Sequence, residues 1–276
     1  MSNNGDSGDN RLAGVAAPII IIIIVMVTMN TTLDYSGSLA NTSSSATTSS
    51  SIQVSSSALT PLAIDGQSES IPGYCKPSLT TTKSNDVLIL FIGGEGSGPM
   101  VSVVDNASLT WHHRASAPYN FTSTFETIEE WYAISPSPLS NDNITVKSTT
   151  PGLFHCFVLG VSGANLASPF DLSTGCASNN AVPQIAASSN PTSSGTVTVC
   201  TSGRNDLLLS ALFAVGNGAI SSMPAGFSFL AGGGINSFSE AYELVSTTQT
   251  NLGVTWTFAG NDSWGVIGDA IASNGS

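Results

Sequence analysis

The amino-acid sequence predicts a mainly β protein, an antiparallel β-sandwich or jelly roll, preceded by one N-terminal hydrophobic helix. Three observations lead to this prediction. Short apolar runs follow one another at about ten-residue spacing with turn residues between them, which is typical of antiparallel β domains. No long window shows the apolar period that an amphipathic helix needs. One long stretch near the N-terminus carries no charge.

The uncharged stretch runs from Leu12 to Met29, after a polar N-terminus (1–11), and contains six consecutive isoleucines, Ile19–Ile24. A helix of this length spans about 27 Å, close to the roughly 30 Å of hydrocarbon in a bilayer. We therefore expect residues 12–29 to form a helix in a membrane or in the core of a filament. The alternative is a cleaved secretory signal, although Met26–Met29 offers no small-residue cleavage site.

Residues 30–71 are predicted to form a Ser/Thr-rich stalk. Between residues 31 and 60, 17 of 30 positions are Ser or Thr, and no apolar period survives. Such a segment cannot bury enough apolar surface to offset the entropy of ordering it. It would hold the rest of the chain away from the bilayer, either as a glycosylated stalk or as a plain flexible linker.

The remaining part of the chain, predicted to span residues 72–276 and called the head, carries the strand signals. Val87–Ile92 and Leu153–Val161 are continuous apolar runs of the buried type. The head also repeats itself, because Asn85-Asp86 recurs as Asn205-Asp206 and further matches follow at a constant offset. We expect related sets of strands, at about 85–165 and 205–272, fused into one domain. The alternative is a chance likeness between β sequences.

Six segments of the head form a recurring pattern: Asn85-Asp-Val-Leu88, Leu109-Thr-Trp111, Glu129-Glu-Trp-Tyr-Ala133, Ile144-Thr-Val146, Val254-Thr-Trp-Thr-Phe258 and Trp264-Gly-Val-Ile-Gly268. This pattern resembles that of a β-sandwich module of secreted and surface proteins in bacteria and archaea. The resemblance covers nearly all of 80–272. Because the matching residues are core and turn residues, it implies a fold and no particular activity.

The N-terminal segment Arg11–Ile20 places a basic residue, small residues and an early Pro18 ahead of the isoleucines. This order resembles the N-terminus of archaeal type IV pilins. The resemblance implies that a prepilin-type peptidase would cut near Ala13 or Gly14, and that the isoleucine helix would then pack in a filament core.

The four cysteines, Cys75, Cys156, Cys176 and Cys200, all lie in the head. An even number in an exported domain favours two disulfides, for which three pairings exist. We expect Cys156–Cys176, which closes a short loop, together with Cys75–Cys200. Reduced buried thiols are the alternative, and the spacing of the cysteines does not favour a metal.

Composition and sequons both favour an exterior location. Six Lys and Arg residues against 18 Asp and Glu give a net charge of −12, which excludes a surface that neutralises nucleic-acid phosphates. Seven Asn-x-Ser/Thr sites are candidates for N-glycosylation. They are Asn30, Asn41, Asn106, Asn120, Asn143, Asn261 and Asn274.

The titratable residues form no catalytic pattern. His112 and His113 are adjacent on a predicted strand, so their side chains point to opposite faces and do not favour a shared metal. The carboxylates available to a glycosidase-type pair are Glu126, Glu129, Glu130, Glu240 and Glu243. Glu129 and Glu130 diverge across a strand, and the serines lie in no Gly-x-Ser-x-Gly motif. We expect no enzymatic activity, no metal and no cofactor.

These features predict a membrane-anchored or filament-forming structural or adhesive protein of the cell surface. Self-assembly would proceed through residues 12–29, or through donation of an extended segment such as Ala58–Ile64 to a neighbouring sheet. The alternative is a module that binds surface glycans through exposed aromatic side chains, and after it a secreted glycan-active enzyme. The first candidates for that role are Trp111, Trp131 and Tyr132, followed by Trp256, Trp264 and Tyr242.

Overall fold

The computed structural model describes residues 60–70, 75–95, 100–149, 152–216, 219–230 and 238–275, all within one compact unit, 55–276. The predicted hydrophobic helix (12–29), the processing site at Ala13 and Gly14, and the sequons Asn30 and Asn41 lie outside the described residues. The described residues include no helix with the length and apolar character that a membrane span requires.

The described residues form strands and turns. The strands are β1 (Ala63–Glu69), β2 (Ser78–Leu79), β3 (Asp86–Glu95), β4 (Met100–Val104), β5 (His112–Phe121), β6 (Thr124–Ser135), β7 (Asp142–Asn143), β8 (Thr145–Ser148), β9 (Leu153–Ser162), β10 (Gln184–Val199), β11 (Asp206–Gly216), β12 (Ile220–Ser222), β13 (Ser228–Phe229), β14 (Phe238–Val245) and β15 (Leu252–Ile271). The strands of each sheet pair antiparallel, so the predicted mainly β, antiparallel class is confirmed.

Two large sheets make up the head, and each is built from one half of the chain. The first has the strand order β1-β9-β3-β6-β5, and the second has the order β10-β15-β11-β14-β13, with β12 also paired to β15. Two small sheets, β2-β7 and β4-β8, belong to the first half. The chain therefore completes one large sheet before it begins the other.

The central strands β3 and β11 are continuous apolar runs because both of their faces are buried. From β3, Val87, Ile89 and Phe91 belong to a middle apolar layer that also holds Leu209 and Phe213 of β11. The alternate residues of the two strands belong to separate outer layers, which the small sheets cover in the first half and the bent β10-β15 pair covers in the second. The two large sheets thus pack face to face around a shared core.

The two halves pair their strands in the same register. In the first half Asp86 lies opposite Ser135 and Val87 opposite Val161; in the second half Asp206 lies opposite Val245 and Leu207 opposite Ile271. The offset is 120 residues for the central strand (86 to 206) and 110 residues for both of its neighbours (135 to 245 and 161 to 271).

The expected boundary between stalk and head at residue 72 is corrected, because β1 already belongs to the first large sheet. Ala63 lies opposite Ser162 and Glu69 opposite Phe157. The segment is too polar to be recognised as a strand, since it lies at a sheet edge, where three of its residues are exposed and the other four are only partly buried. Ile64, considered above for donation to a neighbour, packs against the middle apolar layer of its own head.

The expected disulfide pairing is also corrected: the bonds are Cys75–Cys156 and Cys176–Cys200. The first forms because the chain leaves β1 alongside β9, where Ser70 N donates to Cys156 O over 2.9 Å. The second forms because the segment before β10 returns to the end of that strand, where Cys200 N donates to Asn180 O over 2.7 Å. Each disulfide therefore stays within one half of the chain.

Candidate functional site

Two of the three aromatic residues proposed for ligand binding are buried, which corrects that prediction. Trp111 and Trp131 are 9% and 8% exposed and belong to the outer apolar layer of the first sheet. Their indole nitrogens are used inside the fold: Trp111 Nε1 donates to Asp105 over 2.6 Å, and Trp131 Nε1 donates to Glu129 over 3.0 Å. Side chains held in this way offer no platform to an external ligand.

Tyr132, the third candidate, lies in an open groove of about 450 Å³ on the first sheet. The imidazole of His112 stacks on the Tyr132 ring, with 5.1 Å between the ring centroids and 29° between their planes. This contact follows from strand register, because His112 lies directly opposite Tyr132 in the β5-β6 pair. Tyr132 also meets the ring of Phe170 edge to face at 4.9 Å. His112 remains exposed.

One wall of the groove is the segment 108–110, which is fixed by two aspartates. Asp105 accepts hydrogen bonds from Leu109 N over 3.0 Å and from Trp111 Nε1, and Asp142 accepts one from Ala107 N over 3.0 Å. Burial and the nearby charge of Asp105 raise the pKa of Asp142. The turn that carries this wall is therefore held in place before any ligand arrives.

The opposite wall comes from the segment between β9 and β10, with Leu166, Ala167 and Pro169 lining the groove. Asn165 Oδ1 accepts hydrogen bonds from Ala167 N and Ser168 N over 3.1 and 3.3 Å. The backbone of this wall is also bonded to the end of the second sheet, because Asn165 N donates to Ala272 O over 3.0 Å. Both walls are thus preformed parts of the fold.

The acidic residues considered for catalysis are dispersed through the head. Glu129 and Glu130 point to opposite faces of β6: Glu129 accepts from Met100 N and Trp131 Nε1 in the outer layer, whereas Glu130 lies between the large sheets. Glu240 is likewise fully buried, beside Glu69, and burial raises its pKa well above the ordinary value. Among these described carboxylates no two face each other across the groove.

A charge cluster, in which the two acidic residues are buried and Arg114 is partly exposed, joins the two large sheets. Arg114, in a bulge of β5, donates from Nε and Nη2 to the Asp269 carboxylate over 2.7 and 3.0 Å, and its guanidinium lies 3.8 Å from the Phe170 ring centroid. Glu130 completes the cluster. Burial and the charge of Asp269 raise the pKa of Glu130 well above its ordinary value, so Glu130 holds a proton while Asp269 pairs with Arg114.

Two further carboxyl pairs occupy corresponding places in the two halves. Asp65 accepts hydrogen bonds from Thr82 N and Lys83 N over 2.8 and 2.6 Å, and its carboxyl group lies beside that of Asp86. These bonds hold the turn before β3. In the first pair, burial and the neighbouring Asp65 raise the pKa of Asp86 to about 7, whereas the hydrogen bonds from the turn outweigh burial and lower the pKa of Asp65.

The second pair joins Asp171 to Asp206. Asp171 accepts hydrogen bonds from Ser202 N and Gly203 N over 3.0 and 2.7 Å, which hold the turn before β11. Burial and the charge of Asp171 raise the pKa of Asp206 to about 7, and the hydrogen bonds to Asp171 outweigh its burial and lower its own pKa. The repeated Asn-Asp motif marks one member of each pair, but its partner could not be recognised from the sequence.

The histidines take part in ring contacts. His113 meets the edge of Trp131 at 5.2 Å, and His155 packs against Phe213 and Phe238 in the core at 5.8 and 5.9 Å. No group of three or more His, Cys, Asp or Glu side chains suited to a metal ion occurs in the part of the chain that the structure describes.

The asparagines of the described sequons are exposed: these are Asn106, Asn120, Asn143, Asn261 and Asn274. They differ in their surroundings. Ser263, the hydroxyl residue of the Asn261 sequon, is 1% exposed and donates to Ser189 O over 2.9 Å. Ser108, the hydroxyl residue of the Asn106 sequon, is exposed and lines the groove beside Tyr132.

No protein-family model, curated protein or solved structure matches this chain.

Proposed function

We propose that the protein is a non-catalytic structural or adhesive protein of the cell surface, held in a membrane or in a filament by residues 12–29. The observation that carries the proposal is the pair of disulfides that ties each half of the head. Disulfides persist in oxidising surroundings such as the cell exterior. The exposed sequon asparagines support the same location, as does the uncharged segment that precedes the Ser/Thr-rich stalk.

We also infer that the head is a two-sheet sandwich derived from the duplication of one half. The matching pairing registers of the halves support this inference, as do the equivalent aspartate pairs before β3 and β11. A head that consists of two packed sheets with repeated structural residues suits a rigid surface module better than a catalytic one, because its buried carboxylates are committed to holding the fold.

The proposal is tested on the native protein by electron microscopy, with mass spectrometry of its N-terminus and of its cysteines on the same sample. We expect the protein in the envelope or surface fraction, with both disulfides intact. Filaments whose subunits have an N-terminus near Val15 would support a processed, pilin-like subunit. An intact N-terminus in a membrane fraction would support a single anchored protein. Recovery from the cytosolic fraction with reduced cysteines would overturn the proposal.

A further inference from the structure

The residues that line the groove beside Tyr132 suit the binding of a neutral sugar. Its lining contains no Asp, Glu, Lys or Arg, so it does not select a charged ligand. Apolar side chains from both walls, Leu109 and Leu166 among them, lie beside the hydroxyls of Ser108 and Thr110. A pyranose ring presents an apolar face of C–H groups and a rim of hydroxyls, which matches an aromatic surface bordered by hydrogen-bonding groups.

The nearest source of such a sugar is the chain itself. The sequon Asn106-Ala107-Ser108 ends on a residue that lines the groove, and Asn106 is exposed in the turn before it. Two residues of chain span at most about 7 Å. A glycan on Asn106 would therefore begin at the mouth of the groove, whereas no residue of the other described sequons lines it.

We propose that Asn106 carries an N-linked glycan and that its first sugars lie in the groove, with one ring packed against the exposed imidazole of His112. The inference rests on the proposed location outside the cell, where such a modification is found. The attachment joins Asn106 Nδ2 to C1 of the first sugar. The bond between C1 and the phosphate oxygen of a lipid-linked oligosaccharide donor breaks, its electrons leave with the phosphate, and a proton is lost from Nδ2.

The preformed walls favour this mode of binding. Asp105 and Asp142 hold the turn that carries Asn106, and Asn165 holds the opposite wall, so the fold bears the cost of ordering the site. The His112 ring is likewise supported from beneath by Tyr132. An attached glycan would occupy the groove more fully than a free sugar, because its effective concentration there is higher.

Glycopeptide mass spectrometry of the native protein tests the attachment. We expect a glycan on the peptide that contains Asn106. A protein with glycan at other sequons and a bare Asn106 would overturn this inference and leave the proposed surface function standing. A protein with no glycan at any sequon, recovered from the cytosol with reduced cysteines, would overturn both.

Acylation of histidine by diethyl pyrocarbonate tests whether the glycan lies in the groove and covers His112. The exposed His113 serves as the internal reference. We expect His112 to react several-fold more slowly than His113 in the glycosylated protein, and to regain its reactivity in Asn106→Gln. Asn143→Gln is the matched control: it removes an exposed sequon close by and should leave His112 protected.

Two outcomes of the acylation experiment would overturn the proposal that the Asn106 glycan occupies the groove. Equal reactivity of His112 in the glycosylated protein and in Asn106→Gln would place the glycan away from the groove. A reactive His112 in the glycosylated protein that becomes protected only when released oligosaccharide is added would mean that the groove takes sugar from another molecule, not from Asn106.

Discussion

Asp269 is the residue on which the charge cluster between the sheets depends. It lies on the second sheet and holds both Nε and Nη2 of Arg114, which comes from the first sheet. Removing one partner of a buried ion pair leaves the other charge unpaired, which costs far more than the pair itself contributes. Glu130 is protonated and therefore neutral, so replacing it removes no charge from the cluster.

We therefore expect Asp269→Ala to lower the free energy of unfolding by about 1.5–3 kcal/mol, because the Arg114 side chain left without its partner is 21% exposed and can reach water. Glu130→Gln, the matched control, keeps a neutral hydrogen-bonding group of the same size and should change stability by less than about 1 kcal/mol at neutral pH. Denaturant unfolding of both variants checks this. A larger loss in Glu130→Gln than in Asp269→Ala would assign the counter-charge of Arg114 to Glu130.

The aspartate pairs predict that the head is more stable in mild acid than at neutral pH. Asp86 and Asp206, whose pKa values are raised to about 7, keep their protons in the folded state at pH values where unfolded aspartates have lost them. Between about pH 4 and pH 7 the folded protein therefore binds more protons, so the free energy of unfolding falls as the pH rises through this window.

The melting temperature should drop by several degrees between pH 4.5 and pH 8. Groups near the first pair act against each other, since Lys83 favours the ionised form of Asp86 and Asp65 disfavours it. The double variant Asp86→Asn and Asp206→Asn keeps a side-chain donor for Asp65 and Asp171 and should flatten the pH profile. An unchanged slope in that variant would contradict the assignment.

At the scale of single strands, β3 can approach the second sheet closely because it carries a glycine at Gly93. A Cβ at this position would lie 2.7 Å from Phe213 Cδ2 and 2.9 Å from Phe238 Cδ2, both in the facing sheet. We expect Gly93→Ala to cost about 1–3 kcal/mol of stability, because the rings must move. Gly253→Ala is the matched control, since a Cβ there meets nothing within 4 Å. Thermal unfolding distinguishes the two.

The disulfides predict unequal losses on removal. Cys75–Cys156 closes a sequence separation of 81 residues and Cys176–Cys200 one of 24 residues. In the chain-entropy description, these loops correspond to about 4.5 and about 3.5 kcal/mol. The variant Cys75→Ser with Cys156→Ser should therefore be less stable than Cys176→Ser with Cys200→Ser, as measured by denaturant midpoints. The reverse order would show that packing around the second bond dominates.

Strands buried on both faces could be predicted from the sequence, and edge strands could not. Val87–Ile92 is apolar throughout because it packs against two layers, and the turn before it is marked by Asn85, which adopts a positive φ of 64°. Strand β1 has no such signature, because a polar edge strand needs only a few apolar contacts. The cysteine pairing could not be predicted for the same reason, since it depends on β1 lying beside β9.

The groove could be predicted only in part. Tyr132 stands out as an aromatic residue, and the fate of the neighbouring Trp131 follows from strand alternation once one face is known to be covered. The wall at Leu166–Pro169 is distant in sequence from the wall at Ser108–Thr110, and only the packing of the segment after β9 brings them together. Local sequence patterns carry no information on such a contact.

For the molecule as a whole, the middle apolar layer makes each half dependent on the other. Strands of both large sheets contribute apolar residues to this one layer, so each half on its own would leave its share of that surface uncovered. We expect fragments 60–165 and 166–276 to remain unfolded when expressed separately, and the intact head to unfold in a single transition by calorimetry. Two separate transitions, or a folded fragment, would show that the halves are independent domains.

The way in which the chain joins the head also determines how the head would respond to a mechanical load. A pull from the N-terminal side reaches β1 first, and β1 is paired only to β9. Peeling β1 away would free the chain from Ala63 only as far as Cys75, where the bond to Cys156 transfers the tension directly to β9, the neighbouring strand in the sheet. Residues between Cys75 and Cys156 are bypassed by that force. Under load the head would thus extend over a short length at β1 and would then resist further extension at the Cys75–Cys156 bond.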